Sequence, residues 1–112
     1  MQLPDFILAL PELDIPVSRE TVESHGFQGA EGLVAFFLFR EDFHLPPHAH
    51  GAQWGTVLHG EMEVTIAGKA AMHRAGDSYD IPAGMEHSVR AKAGTIVVDF
   101  WEERDRYGLR SR

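Results

Sequence analysis

With 112 residues the chain has room for one ordinary domain and one core. Ten Lys and Arg against seventeen Asp and Glu leave a formal charge of −7, which repels phosphates and anionic lipid surfaces and argues against nucleic-acid or membrane partners. Cysteine is absent, so disulfides, zinc fingers and iron–sulfur clusters are excluded, and a metal would have to be held by imidazole, carboxylate, amide or water.

Residues 1–16 alternate Pro4, Pro11 and Pro16 with apolar residues. That composition resists a regular helix yet is too apolar to leave in water, so an arm docked on the body of the protein or on a second subunit is expected. The apolar run Phe6 to Leu10 is five residues long and has no Lys or Arg before it, which fits neither a signal peptide nor a membrane span. A cytoplasmic location is the expectation.

From Val17 to Trp101 the chain reads as short β-prone runs separated by Gly, Pro and Asp, the spacing of an all-β sandwich or barrel. Leu33 to Phe39 is apolar at every position, so as a strand it needs cover on both faces. A homodimer partner or the chain's own arm would supply it, and the pattern leaves both open. Met62, Val64 and Ile66 alternate with Glu61, Glu63 and Thr65, a strand with one dry and one wet face, preceded by a turn at Gly60.

Gly68-Lys69 and Gly76-Asp77 read as turns, Ser78 to Ile81 as a short strand, and Pro82-Ala83-Gly84 as a break before a strand from Glu86 to Ala91. Thr95 to Trp101 is the last strong strand. The tail, residues 102–112, carries four Arg and three acidic residues with little to bury beyond Tyr107 and Leu109, so its charges are expected in solvent.

Seven histidines stand in the chain. On a strand the spacing of His48 and His50 puts both imidazoles on one face, about 6 to 7 Å apart along the backbone, and Pro46 and Pro47 fix an extended entry. Such a pair alone could be two hydrogen-bonded core residues. His87 offers a third nitrogen: with Val89 and Ala91 as same-face neighbours and Ser88, Arg90 and Lys92 opposite, alternation turns it inward. Three convergent imidazoles suit a divalent metal ion.

These residues carry a family resemblance. Asp42 to Gly60 resembles the first motif of the cupin superfamily, a Gly, five residues, H-x-H, three or four residues, Glu, six residues and Gly: His48 and His50 fill the H-x-H, Gly60 closes it, and Gln53 stands in place of the Glu. Gly76, Pro82, Gly84 and His87 match the second motif, a Gly, five residues, P-x-G, two residues and His. The resemblance implies an all-β double-stranded β-helix or jelly-roll (cupin) barrel holding one divalent metal ion (Zn, Fe, Mn or Ni) and a small-molecule ligand. His48, His50 and His87 would be its metal ligands, with Gln53 as a fourth.

Three positions depart from the pattern. Asp42 replaces the opening Gly, Ala91 replaces a frequent Asn, and only Gly51 and Ala52 separate His50 from Gln53. Gln is a neutral donor, so this set leaves the ion's charge uncompensated and favours an anionic ligand. The short spacing leaves open a three-histidine site with Gln53 off the metal.

His25, His44 and His73 lie in polar or turn-like surroundings and are expected at the surface. His59, on the face of Gln53 if the strand is regular, is expected at the cavity rim, where it could move protons. Tyr79 and Asp80 cannot both face the cavity, and Tyr79 is the inward choice, so Tyr79 and His59 are the candidate catalytic residues. Trp54, Tyr79 and Trp101 are pocket wall or core. Asp99, in an apolar strand, reads as an acceptor for a ligand imidazole or as an outward partner of Arg. The expected function is a metal-dependent enzyme on a small organic acid or keto/enol compound, of dioxygenase, isomerase or lyase type. A non-catalytic sensor or carrier is the alternative, and a metal that merely braces the barrel a third reading.

Overall fold

Inward residues alternate with outward ones along most of the chain, and the alternation folds it into two antiparallel sheets packed face to face. The computed structural model describes residues 1–110, which form one short helix, α1 (Asp5–Leu8), and nine strands. These are β1 (Val22–Gly29), β2 (Gly32–Phe39), β3 (Phe43–His48), β4 (Gln53–His59), β5 (Glu61–Ile66), β6 (Lys69–Arg74), β7 (Ser78–Ile81), β8 (His87–Ala91) and β9 (Ile96–Trp101). One sheet has the order β1-β2-β9-β4-β7 and the other β3-β8-β5-β6. This is the jelly-roll barrel expected from the two motifs.

The core lies between the sheets. Leu33, Ala35, Phe37 and Phe39 face inward from β2, Val57 from β4, Met62 and Val64 from β5, and Val97 and Trp101 from β9. The uniformly apolar β2 resolves into a buried face and a half-buried one, the latter made of Val34, Phe36 and Leu38.

The N-terminal arm docks on its own barrel. Gly26 donates its N–H to the Pro11 carbonyl at 2.9 Å, and Leu13 is fully buried beneath it. A Cβ at Gly26 would collide with the Val34 carbonyl and the Leu13 side chain, so the arm's approach requires that glycine. Against expectation the arm contains one helical turn, α1, which begins after Pro4 where a missing N–H costs nothing and which packs on β1. None of the described helices is long and apolar enough to cross a membrane.

The tail keeps Glu102, Arg104 and Asp105 exposed, as expected, but its backbone is tied to the arm: Leu109 bridges Leu13, and Arg110 donates from its backbone to Glu12 at 2.7 Å and from its guanidinium to the Ile15 carbonyl at 3.0 Å. Tyr107 packs against the core. Ser111 and Arg112 of the expected charged tail lie outside the described residues.

Candidate metal centre

His48 ends β3 directly opposite His87, the first residue of β8. The pairing slips between Leu45 and His48, where Pro46 and Pro47 have no N–H to offer a ladder. β3 stops at His48, so His50 lies in the turn beyond it and its convergence does not come from strand alternation, as the H-x-H spacing suggests. It comes from a cross-connection: the Gly84 N–H, in the Pro-Ala-Gly turn before His87, donates to the His50 carbonyl at 2.8 Å. The two motifs are thus bonded to each other.

The three rings face one another. Their candidate ligand nitrogens all lie within 4.8 Å, and the Nε2 atoms of His50 and His87 are 3.1 Å apart. Each Nδ1 faces a backbone carbonyl: His48 that of Pro46 at 3.0 Å, His50 that of Gly51 at 2.7 Å, and His87 that of Met85 at 2.9 Å. A carbonyl only accepts, so each Nδ1 carries a proton, and His50 and His87 as neutral rings turn their Nε2 lone pairs toward each other. Two lone pairs at 3.1 Å repel unless a cation lies between them. Nitrogens about 2.0 to 2.1 Å from one ion and about 90° to 110° apart would be separated by roughly 2.8 to 3.4 Å, so the residues fit a divalent metal.

Burial holds the pKa of His50 below the usual imidazole value, with the Arg106 charge adding to it, and the Gly51 carbonyl opposes the shift. Burial lowers His87 likewise, helped by His48, His50 and Arg106. Both shifts keep the rings neutral and ready to ligate.

Beside the histidines lies a cavity of about 110 Å³. Gln53, Tyr79 and Asp99 share its wall with the three histidines. Asp99 accepts from the Tyr79 hydroxyl at 2.6 Å and from Gln53 Nε2 at 3.1 Å, both on Oδ1. It is 4% exposed, and burial pushes its pKa up to about 6 against the pull of those two bonds. Burial, and then the Asp99 charge, raises the Tyr79 phenol well above its ordinary value, so it stays protonated.

Asp99 is therefore neither an acceptor for a ligand imidazole nor an outward partner of Arg. Its strand position pairs it with Gly55 and Ala35 on the inner face, where Tyr79 and Gln53 are the donors in reach.

The other expectations divide. Tyr79 faces the cavity and Asp80 is exposed. Trp101 lines the cavity, whereas Trp54 lies on the outer face at 43% exposure. His59 is not brought to the histidine cluster. The β4–β9 register shifts between Val57 and His59, and this irregularity cancels the alternation that would have turned the ring inward. It is exposed, with Nδ1 on the Gly94 carbonyl at 3.2 Å. His44 is exposed and His73 half-buried against Tyr79. His25, expected at the surface, is buried under the arm, its Nδ1 on the Leu10 carbonyl at 3.0 Å and its Nε2 on Glu23 at 2.5 Å.

Sequence reasoning missed the residues beyond β9. Glu103 accepts from the Gly51 N–H and Glu102 from the Ala52 N–H, both at 2.6 Å, so two carboxylates hold the short loop between His50 and Gln53. A Cβ at Gly51 would overlap them. Arg106 lies over the Tyr107 ring at 4.6 Å. The available signal was topological: in a barrel where the last strand runs beside β4, the residues after Trp101 must pass the loop that precedes Gln53.

Comparison with known proteins agrees with this architecture. The model of the family described as "Cupin domain" matches residues 40–100, more than half of the chain. No curated protein matches the sequence. Among solved structures, KdgF from Halomonas sp. is 19% identical with a TM-score of 0.70, over 83% of this chain and 87% of that one. An RmlC-like cupin from Shewanella frigidimarina is 21% identical with a TM-score of 0.71, over 85% and 86%. AerE from Microcystis aeruginosa is 25% identical with a TM-score of 0.72, over 83% of this chain and 46% of that one.

Proposed function

The chain belongs to the cupin domain family, and from that premise we propose a metal-dependent enzyme acting on a small organic acid or its keto/enol form. His48, His50 and His87 hold one divalent ion. Gln53 is the fourth donor: its Nε2 is spent on Asp99, which leaves Oε1 as a neutral oxygen for the ion. The observation that carries this reading is the pair of Nε2 atoms 3.1 Å apart on rings whose other nitrogens are all bound to carbonyls. Imidazole and amide oxygen suit Zn, Fe, Mn or Ni.

Such an ion, with no protein carboxylate on it, supplies Lewis-acid polarisation to an anionic ligand. The proton chemistry falls to Tyr79 and Asp99. The phenol proton sits on Oη, bonded to Asp99 Oδ1, and a carboxyl with a pKa of about 6 is mostly ionised at neutral pH and holds the hydroxyl in place as its acceptor. Tyr79, kept protonated by burial, would act as the acid, giving that proton to a negative charge developing on a substrate bound in the cavity.

A homodimer is part of the proposal. Phe27, Trp54 and Phe100, 43 to 48% exposed, leave an aromatic face on the five-stranded sheet that a second copy would cover.

The test is metal analysis of untagged protein, followed by turnover assays on small carboxylates with and without oxygen, at a mass resolved by light scattering. One metal per chain, lost in His50→Ala, together with turnover lost in Tyr79→Phe, is the expected result. Absence of metal after reconstitution overturns the reading. Ligand binding without turnover of any acid replaces the enzyme with a sensor or carrier.

A further inference from the structure

The cavity wall is divided by polarity. The histidines, Gln53, Tyr79 and Asp99 supply polar groups, with the indole of Trp101 and the phenol of Tyr107 also on the wall, while Val22, Phe37, Phe39, Met62, Ile81 and Val97 supply hydrocarbon. The polar groups at the histidine end are largely committed, whereas Trp101 Nε1 is buried without a hydrogen-bond partner. Tyr79 has one O–H and gives it to Asp99, Gln53 gives an N–H to the same oxygen, and each ligand histidine gives its Nδ1 proton to a carbonyl. A ligand hydroxyl lying against the six hydrocarbon residues would leave water without finding a partner on them.

Size restricts the occupant as well. A cavity of about 150 Å³ admits a benzene ring, and this one holds about 110 Å³. The apolar part fits a short alkyl group better than a ring or a sugar.

We propose that the ligand is a small carboxylic acid whose body beyond its metal-binding end is a short hydrocarbon, and that the cavity rejects polyhydroxylated acids of equal size. The proposal rests on the metal reading above, because the histidine end must hold the acid's oxygens. It adds the chemistry of the other end, which the histidines do not determine.

2-Hydroxybutyrate and glycerate make a matched pair of probes, since they share the α-hydroxy acid and differ by a methyl in place of a hydroxyl. Zinc-loaded protein is titrated with each by calorimetry. The wild type is expected to bind 2-hydroxybutyrate about tenfold or more tightly than glycerate. Val89→Thr, which places a hydroxyl on the half-buried part of the wall, is expected to narrow that gap severalfold; Val97→Thr, deeper in the wall, should act in the same direction. Equal or tighter binding of glycerate, or binding of neither acid by zinc-loaded protein, overturns the proposal while leaving the metal centre standing. Failure of the protein to take up zinc overturns both.

Discussion

Tyr79 and Asp99 meet across a strand that separates them: the phenol on β7 reaches over Gly55 of β4 to donate a 2.6 Å hydrogen bond to a carboxylate on β9. The register puts Gly55 directly between them, opposite Tyr79 on one side and Asp99 on the other. The contact exists because that position has no side chain. A Cβ there would overlap both the Asp99 carboxylate and the Tyr79 hydroxyl. Gly55→Ala is therefore expected to cost roughly 2 to 4 kcal/mol, although alanine has the better strand backbone entropy. Urea unfolding gives the number, and a cost below ~0.5 kcal/mol would show that the pair moves aside freely.

Asp99 also sets a pH dependence of stability. Its folded pKa of about 6 lies above the ordinary 3.8, so folding favours the protonated acid. The associated stability is complete below the ordinary value and is lost as pH rises through about 6. A shift of this size corresponds to about 3 kcal/mol. His50 and His87 act with the opposite sign: their pKa values are lowered, so they lose stability as pH falls below the ordinary imidazole value. In metal-free Asp99→Asn the Asp99 trend is gone and the histidine trend remains. The variant should gain on wild type between pH 4 and pH 7.5 in melting experiments, and a gap between them that stays constant with pH would rule out the buried ionisation.

Much of this arrangement was legible in the sequence, for physical reasons. Alternation of period two, a local property, places Tyr79 and His87 inward, and the two motifs single out His48, His50 and His87, which the fold brings together. His59 escaped because an irregularity in register leaves no mark in a single strand's pattern. His50 converges through a bond from Gly84, thirty-four residues away, rather than by its strand spacing. The sequence assigns Asp99 to a ligand imidazole or to arginine because its real partners lie on β7 and β4, and nothing in the β9 sequence names them.

His25 shows the same limit and yields a further test. Both ring nitrogens face acceptors, the Leu10 carbonyl and the Glu23 carboxylate, and Arg40 binds the other oxygen of Glu23. Burial raises the Glu23 pKa, but the bonds from His25 and Arg40 more than offset it, so the carboxylate stays ionised. The imidazole bridges the Leu10 carbonyl of the arm and the Glu23 carboxylate, and so latches the arm to β1. His25→Ala leaves a buried carboxylate and a carbonyl short of partners and should cost about 2 to 4 kcal/mol. Zinc affinity of the folded variant should equal that of wild type. A matching loss of metal would mean that the arm supports the metal centre.

The loop between His50 and Gln53 makes opposite predictions for two neighbours in the tail. Glu103 accepts from the Gly51 N–H at 2.6 Å, and its negative charge favours a cation at His50. Arg106 disfavours one, because its positive charge reaches both His50 and His87. Glu103→Ala loosens the loop and removes the favourable charge, so zinc affinity should fall about tenfold, the lower end of what groups supporting metal ligands contribute. Arg106→Gln removes a repulsion and should raise affinity roughly two- to fivefold, with the gain shrinking as salt is added. Competition against a chromophoric chelator at two ionic strengths measures both. Effects of the same sign in the two variants would show that the tail acts on the metal centre by packing alone, without the electrostatic balance these positions imply.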